Sequence, residues 1–234
     1  MLPQYVDINA VHESYVNHQA FYASANIDLT YRCPLACPLC MRAHLRRGYP
    51  EKKALMKEKI SASSDMPLDD FRKICDFFQN TITLCGQLSD PVYHTQFYEI
   101  LKIGSNEYPD TKFNIQTAAH QKNIDWYKKA FELSGKNIHW IFGLDGLPDV
   151  SHLYRKNQNS QLIYDAMMLG REMDVNIRWQ MIIFDFNEHQ IEQVKLICQE
   201  KGIKPRFIAS NRKSKNDPST KYVAKGNIKE ILEL

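Results

Sequence analysis

The 234-residue chain has no uncharged apolar run of about 18 residues, so no membrane-spanning helix is expected. Its opening, MLPQYVDINAVHESYVNHQAFYAS, lacks a basic start followed by an apolar core, so no export leader is expected and the cytoplasm is the expected compartment. It also lacks the even spread of cysteines that marks a disulfide scaffold. Three of the six sit within Cys33 to Cys40, and Cys75, Cys85 and Cys198 stand alone, which suits metal or cluster binding in a reducing compartment. No large excess of one charge is present. A net charge of +3 is too mild to imply nucleic acid by itself. Internal repeats and low-complexity tracts are missing too, which removes solenoids and arrays.

What is there has an ordinary globular balance: 44% hydrophobic and 24% charged residues exclude a disordered or fibrous chain. The length suits one domain, since α/β barrels often exceed 200 residues. From residue 24 onward, β-type apolar runs alternate with helical patterns, and six βα units can be drawn. The expected strands are Ala25 to Tyr31, Thr81 to Cys85, Lys112 to Thr117, Ile138 to Leu144, Asn176 to Phe184 and Pro205 to Ala209. The expected helices are Leu68 to Phe78, Thr95 to Ile103, Ile124 to Leu133, Gln161 to Met173 and Glu188 to Lys201. Asn123 or Asp125 can cap the third helix, Asn187 the fifth, and Gly202 ends the fifth.

Such a series closes into an α/β fold, a full or partial parallel barrel whose chemistry lies at the carboxyl ends of the strands. The expected division is an amino-terminal extension over 1–23, a core over 24–210 and a basic tail over 211–234. Ala43 to Asp65 reads as an inserted loop with a short helix begun at Pro50.

Arg32 to Cys40 spells RCPLACPLC, a C-x3-C-x2-C run directly after the first strand. Three thiolates can hold three irons of a cubane and leave the fourth open, whereas electron-transfer ferredoxins use four cysteines. Pro34 and Pro38 remove two backbone donors and disfavour helix, so the loop can curl round a cluster. A zinc site is the competing reading, with His44 as fourth ligand in C-x3-C-x2-C-x3-H, although zinc modules usually draw on two separated knuckles. Cys75 and Cys198 lie at apolar helix positions and read as packing residues; Cys85, at the end of a strand, is either near the site or, the favoured reading, a packing residue too.

The stretch LTYRCPLACPLC resembles the cluster loop of the radical S-adenosylmethionine (SAM) superfamily. That resemblance implies a partial (β/α)6 barrel with one [4Fe-4S] cluster on Cys33, Cys37 and Cys40. The open iron would chelate SAM, reductive cleavage would yield a 5′-deoxyadenosyl radical, and Leu39 would pack near the adenine. The segment LCGQLSDPVYHTQFYEIL resembles the family's second-strand motif, with Leu88, Ser89, Asp90 and Pro91 standing where a Gly-Gly-Glu-Pro type is usual. Asp90 keeps the carboxylate that would receive the SAM amino group, while the glycines are replaced.

Thr117 ends the third strand where Thr-Asn-Gly is common in the family, and the following His120 reads as a loop residue or a contact. IHWIFGLDGLPDVSHLYR and IRWQMIIFDFNEHQIEQVKLICQEKG resemble the fourth and fifth units of the SPASM/twitch branch. Asp145, at the carboxyl end of the fourth strand, is placed to meet a ribose or substrate group or else to form a cap or turn, and Arg178 and Gln180, polar residues on one face of the fifth strand, are candidate contacts for SAM or substrate. No cysteine follows Cys198, so a single cluster is expected, without the auxiliary-cluster domain of that branch.

The resemblance favours a peptide or protein substrate and implies a one-electron reductant such as a flavodoxin or ferredoxin. The basic tail leaves a nucleotide or RNA substrate open. Two other readings stand beside it: a non-catalytic iron-sulfur or zinc binding protein, and an accessory subunit whose partner completes the substrate side.

Overall fold

The computed structural model describes residues 24–42, 54, 65–85, 88–118 and 122–210. The expectations for the amino-terminal extension, the Pro50 helix, His44, His120 and the basic tail lie outside the described residues.

Six strands form one sheet in the order β1-β2-β3-β4-β5-β6, every neighbouring pair parallel. They are β1 Ser24–Ile27, β2 Thr81–Cys85, β3 Lys112–Thr117, β4 Ile138–Gly143, β5 Asn176–Ile183 and β6 Lys204–Ala209. The helices are α1 Leu68–Phe77, α2 Phe97–Lys102, α3 Ile124–Glu132, a short α4 Pro148–Ser151, α5 Ser160–Glu172 and α6 Ile191–Lys201. This is the expected α/β parallel sheet, a partial barrel with β1 and β6 as its edges.

Strand alternation separates two faces. Ile82, Leu84, Phe113, Ile115, Trp140, Phe142, Trp179, Met181 and Ile183 point outward into the main core. Each helix answers with a stripe at helical spacing: Phe71, Ile74 and Cys75 from α1, Tyr127, Ala130 and Phe131 from α3, and Ile163, Ala166 and Met167 from α5. Burying a large side chain of this kind contributes roughly 1.5–3 kcal/mol, so this layer dominates the stability of the fold. Cys75 and Cys198 belong to it, as the sequence suggests.

Local sequence sets most of the limits. Asn123 caps α3 by accepting from the Trp126 amide at 2.8 Å. Gly202 ends α6 in the left-handed region at φ 62°, a conformation that costs glycine little. Three expectations need correction.

The first strand ends at Ile27 rather than Tyr31, because the chain then leaves the sheet and Thr30 makes only an isolated antiparallel bridge to Asp65. The second helix starts at Phe97 and is continued by a π-helical stretch, Ile103–Glu107, rather than running from Thr95 to Ile103. Asn187 does not cap the last helix. Its side chain accepts from the Phe184 amide at 2.7 Å and donates to the carbonyls of Ile182 at 2.9 Å and Asp145 at 3.1 Å. A 3-10 turn, Glu188–Gln190, intervenes before α6 begins.

Candidate functional site

The carboxyl ends of the strands surround a cavity of about 280 Å³. Cys33, Cys37 and Cys40 enter it from the loop after β1, and Cys85, Leu88, Ser89 and Asp90 from β2 and the residues beyond. Gln116 and Thr117 come from β3, Gly143 from β4, Gln180 from β5 and Arg155 from the loop after α4.

With Pro34 and Pro38 among its residues, the cysteine loop forms no ladder of its own and is held by its surroundings. The Arg32 carbonyl accepts from the Asp90 amide at 3.0 Å, and the Ala36 amide donates to the Lys156 carbonyl at 3.1 Å. Asn157 Nδ2 donates to the Pro34 carbonyl at 3.3 Å. Buried Arg42 ties the end of the loop to its start and to the residues beyond β2, its Nη1 donating to the carbonyls of Tyr31 at 2.5 Å and Leu88 at 2.6 Å. Beneath the loop, Leu35, Cys37 and Leu39 pack with Tyr154, Ile182 and Phe184 in a small apolar cluster separate from the main core.

The second rim is built on carboxylates. Asp28 accepts from the Ser89 hydroxyl at 2.7 Å and the Leu88 amide at 3.4 Å, which fixes the turn after β2. Buried Asp90 accepts from the Thr117 hydroxyl and the Ala118 amide, each at 2.8 Å, joining β2 to β3. Burial pushes its carboxyl up to about 6, against those hydrogen bonds, which favour the charged form. A cationic group arriving in the cavity would offset that buried charge.

Fully buried Asp145 holds Arg155 by an ion pair, Nε to Oδ2 at 2.8 Å, and its Oδ1 accepts from the Ile182 amide at 2.8 Å. Burial works against the Arg155 charge, but the Asp145 carboxylate beside it more than offsets that and raises the guanidinium above its ordinary value. The guanidinium lies flat over Gly143, where a Cβ would come within 2.8 Å of Nη2. Gln158 fastens the same level: its Nε2 donates to the carbonyls of Ala118 at 2.9 Å and Gly143 at 3.0 Å.

Most of the residues singled out in the sequence meet here. Cys33, Cys37, Cys40, Leu88, Ser89, Asp90, Thr117 and Gln180 line one cavity. Leu39 lies under the cysteine loop rather than on the cavity wall. Asp145 stands behind the cavity lining, its carboxylate paired with Arg155 and accepting from the Ile182 amide. Arg178 lies two residues before Gln180, outside the lining. Arg155, Arg42 and Gln116 also line the cavity and Gln158 backs it, none of them part of a local motif, and Cys85 takes the near-site alternative.

Burial pushes the Cys33 thiol up to about 12, with the Asp90 carboxylate adding to the shift, and the Cys37 thiol to about 11, with Arg155 opposing the rise. A metal bound there would draw these thiols into the thiolate form and release their protons. Three thiols that line one cavity could hold an iron-sulfur group, and Gln180 Oε1 is buried with no hydrogen-bond partner among the described residues.

The chain resembles known proteins in fold. No protein-family model matches the chain, and no curated protein does. Solved structures do match. Streptococcus suis SuiB bound to S-adenosylmethionine superposes with a TM-score of 0.64 at 18% identity, covering 95% of this chain and 49% of that one. Native anSMEcpe with bound AdoMet and Cp18Cys peptide gives 0.60 at 16% identity over 86% and 55%. A radical SAM methyltransferase from Sphaerobacter thermophilus gives 0.55 at 9% identity over 89% and 60%. The chain thus spans about half the length of the structures it matches. Its six-stranded parallel half-barrel, with the cysteine loop at the carboxyl end of β1, is the fold of radical SAM enzymes.

Proposed function

We propose that this chain is a radical SAM enzyme acting on a peptide or protein. The observation that carries the proposal is the meeting of Cys33, Cys37 and Cys40 with Asp90, Arg155 and Gln180 around one cavity at the carboxyl end of the sheet. The three cysteines would hold a [4Fe-4S] cluster whose fourth iron is left to SAM. When bound, the cluster supplies the electron that cleaves SAM to methionine and a 5′-deoxyadenosyl radical.

The chain's own residues supply position and shelter. Asp90, fixed by Thr117 and Ala118, offers a carboxylate to the SAM amino group. Arg155, fixed by Asp145 and lying beside Cys37, offers a cation to the same cavity. Gln180 presents a buried acceptor, and Leu35 and Leu39 keep water from the cysteine side. The peptide reading is supported by similar structures bound to peptides, SuiB with precursor peptide SuiA and anSMEcpe with Cp18Cys peptide. Free cysteines suit the cytoplasm, where a flavodoxin or ferredoxin would deliver the electron.

The test is anaerobic reconstitution followed by iron and sulfide analysis, EPR of the reduced protein with and without SAM, and chromatography for 5′-deoxyadenosine. Expected are about four irons per chain, a signal that changes on adding SAM, and slow cleavage without substrate. Cys33→Ala, Cys37→Ala and Cys40→Ala should each abolish all three. Stoichiometric zinc, or a cluster indifferent to SAM, would leave a binding protein instead.

A further inference from the structure

The six strands contain four Lys or Arg residues, Lys112, Arg178, Lys204 and Arg206, and no Asp or Glu. Alternation puts all four on one face. Lys112 shares parity with the cavity residue Gln116, and Arg178 with Gln180. Register then pairs Arg178 with Lys204 and Gln180 with Arg206 across the β5–β6 ladder. This is the inner, concave face, opposite the helices.

Two electrostatic effects agree with the placement. The His139 imidazole is pushed down by burial and then by Lys112, Arg178 and Lys204, so these cations gather around one point of the inner wall. Cys85 of β2 is raised by burial, yet Arg206 of β6 opposes the rise from four strands away. Arg206 therefore acts across the inner face on a residue of β2.

None of the four cations has an ion pair among the described residues. The acid at the far edge, Asp28, is engaged by Ser89 and Leu88. Protection of an exposed edge explains Lys204 and Pro205, but not Arg178, which lies on an interior strand.

We propose that this cationic inner face receives the carboxylate side chains of an acidic peptide substrate, a specificity that rests on the peptide reading above. The spacing favours an extended peptide over one compact phosphate. Neighbouring strands are about 4.8 Å apart and alternate residues about 6.6 Å apart, so the charges spread over successive side-chain positions of an extended chain. Gln180, between Arg178 and the cavity, links the face to the reacting end of the site.

The test is fluorescence anisotropy on the reconstituted full chain, using a labelled pentapeptide of alternating alanine and glutamate and its counterpart of alanine and glutamine. The glutamate peptide should bind at least about tenfold more tightly, the equivalent of one charge-assisted contact. In the double variant Arg178→Gln, Arg206→Gln the discrimination should fall below about twofold. Lys204→Gln, at an exposed position, should reduce it about threefold with an unchanged melting temperature, and Arg206→Lys should keep most of it.

Equal binding of the two peptides, or undiminished discrimination in the variants, would overturn the proposal. So would inorganic phosphate that binds the face while neither peptide does, which would make the ligand a phosphorylated one. SAM cleavage is scored separately on wild-type protein. Failure of cleavage with intact peptide discrimination sinks the radical reading alone; the converse sinks only the acidic-peptide proposal.

Discussion

Replacing Asp145 by Asn tests how the site holds its cation. The substitution keeps an oxygen for the Ile182 amide but removes the charge facing Arg155, whose side chain is 11% exposed while Asp145 is fully buried. Breaking a buried pair by removing one partner costs about 3–5 kcal/mol, because the other charge stays buried without compensation. Retaining the Ile182 contact and some solvent at Arg155 puts the expected loss at the lower end, about 3 kcal/mol. A domain of this kind has only about 5–15 kcal/mol to lose, so the urea midpoint should move visibly.

The reasoning goes further than the single variant. Arg155→Met alone should also destabilise, but Asp145→Asn with Arg155→Met together should cost less than the sum, with a coupling of about 1–3 kcal/mol. Because a cluster held by three thiolates is anionic and Cys37 lies near Arg155, the Asp145→Asn loss should shrink after reconstitution. Denaturation curves for the four proteins, with and without cluster, measure all of this. A loss below about 1 kcal/mol, or strict additivity, would refute the argument that Asp145 acts by holding Arg155.

Further expectations follow from other groups. Although burial alone would raise it, Asp65 is held down to about 2 by hydrogen bonds from Thr95 and Arg32, so its carboxylate stabilises the fold above the unfolded value near 3.8 and the gain is lost as pH falls from about 4 to 2. Asp65→Asn should therefore cost about 2 kcal/mol at pH 7 and nothing near pH 2, read from urea midpoints across that range. Gln180→Met removes a buried acceptor without a partner, so the cluster-free protein should gain about 1 kcal/mol while SAM binds more weakly by calorimetry. Gly146 sits at φ 100° with Gln190 Oε1 2.5 Å from where a Cβ would be, so Gly146→Ala should cost about 2 kcal/mol in a thermal melt.

The order of elements and the cysteine loop were legible because both are written locally. Strand periodicity, Asn123 and Gly202 mark limits that the fold keeps, and RCPLACPLC needs no neighbour to be noticed. What was not legible depends on contacts across the sequence. Arg155 is one arginine among many until the ion pair with Asp145 lays it over Gly143. Gln158 gives no signal, yet it joins the ends of β3 and β4. Asn187 looked like a cap because Asn before a helix usually is one; a tertiary network involving Asp145, Ile182 and Phe184 used the same amide instead. Arg178 was visible as a polar residue on the right face, but its distance along the strand from the cavity was not.

The strand that carries the cysteine loop is also the one most weakly attached. It has four residues, an edge position and a single neighbour, and 53 residues (28–80) separate it from that neighbour, against 20 to 32 between every later pair of strands. Doubling a loop adds only about 0.6 kcal/mol of closure cost, so the long connection does not by itself exclude β1. It does mean that β2 to β6 can assemble from nearer contacts while β1 docks afterwards. Iron would then be loaded onto a nearly finished scaffold, its arrival closing the last seam. Hydrogen exchange should show the β1 amides opening at lower free energy than those of β4, and the gap should narrow once the cluster is in place.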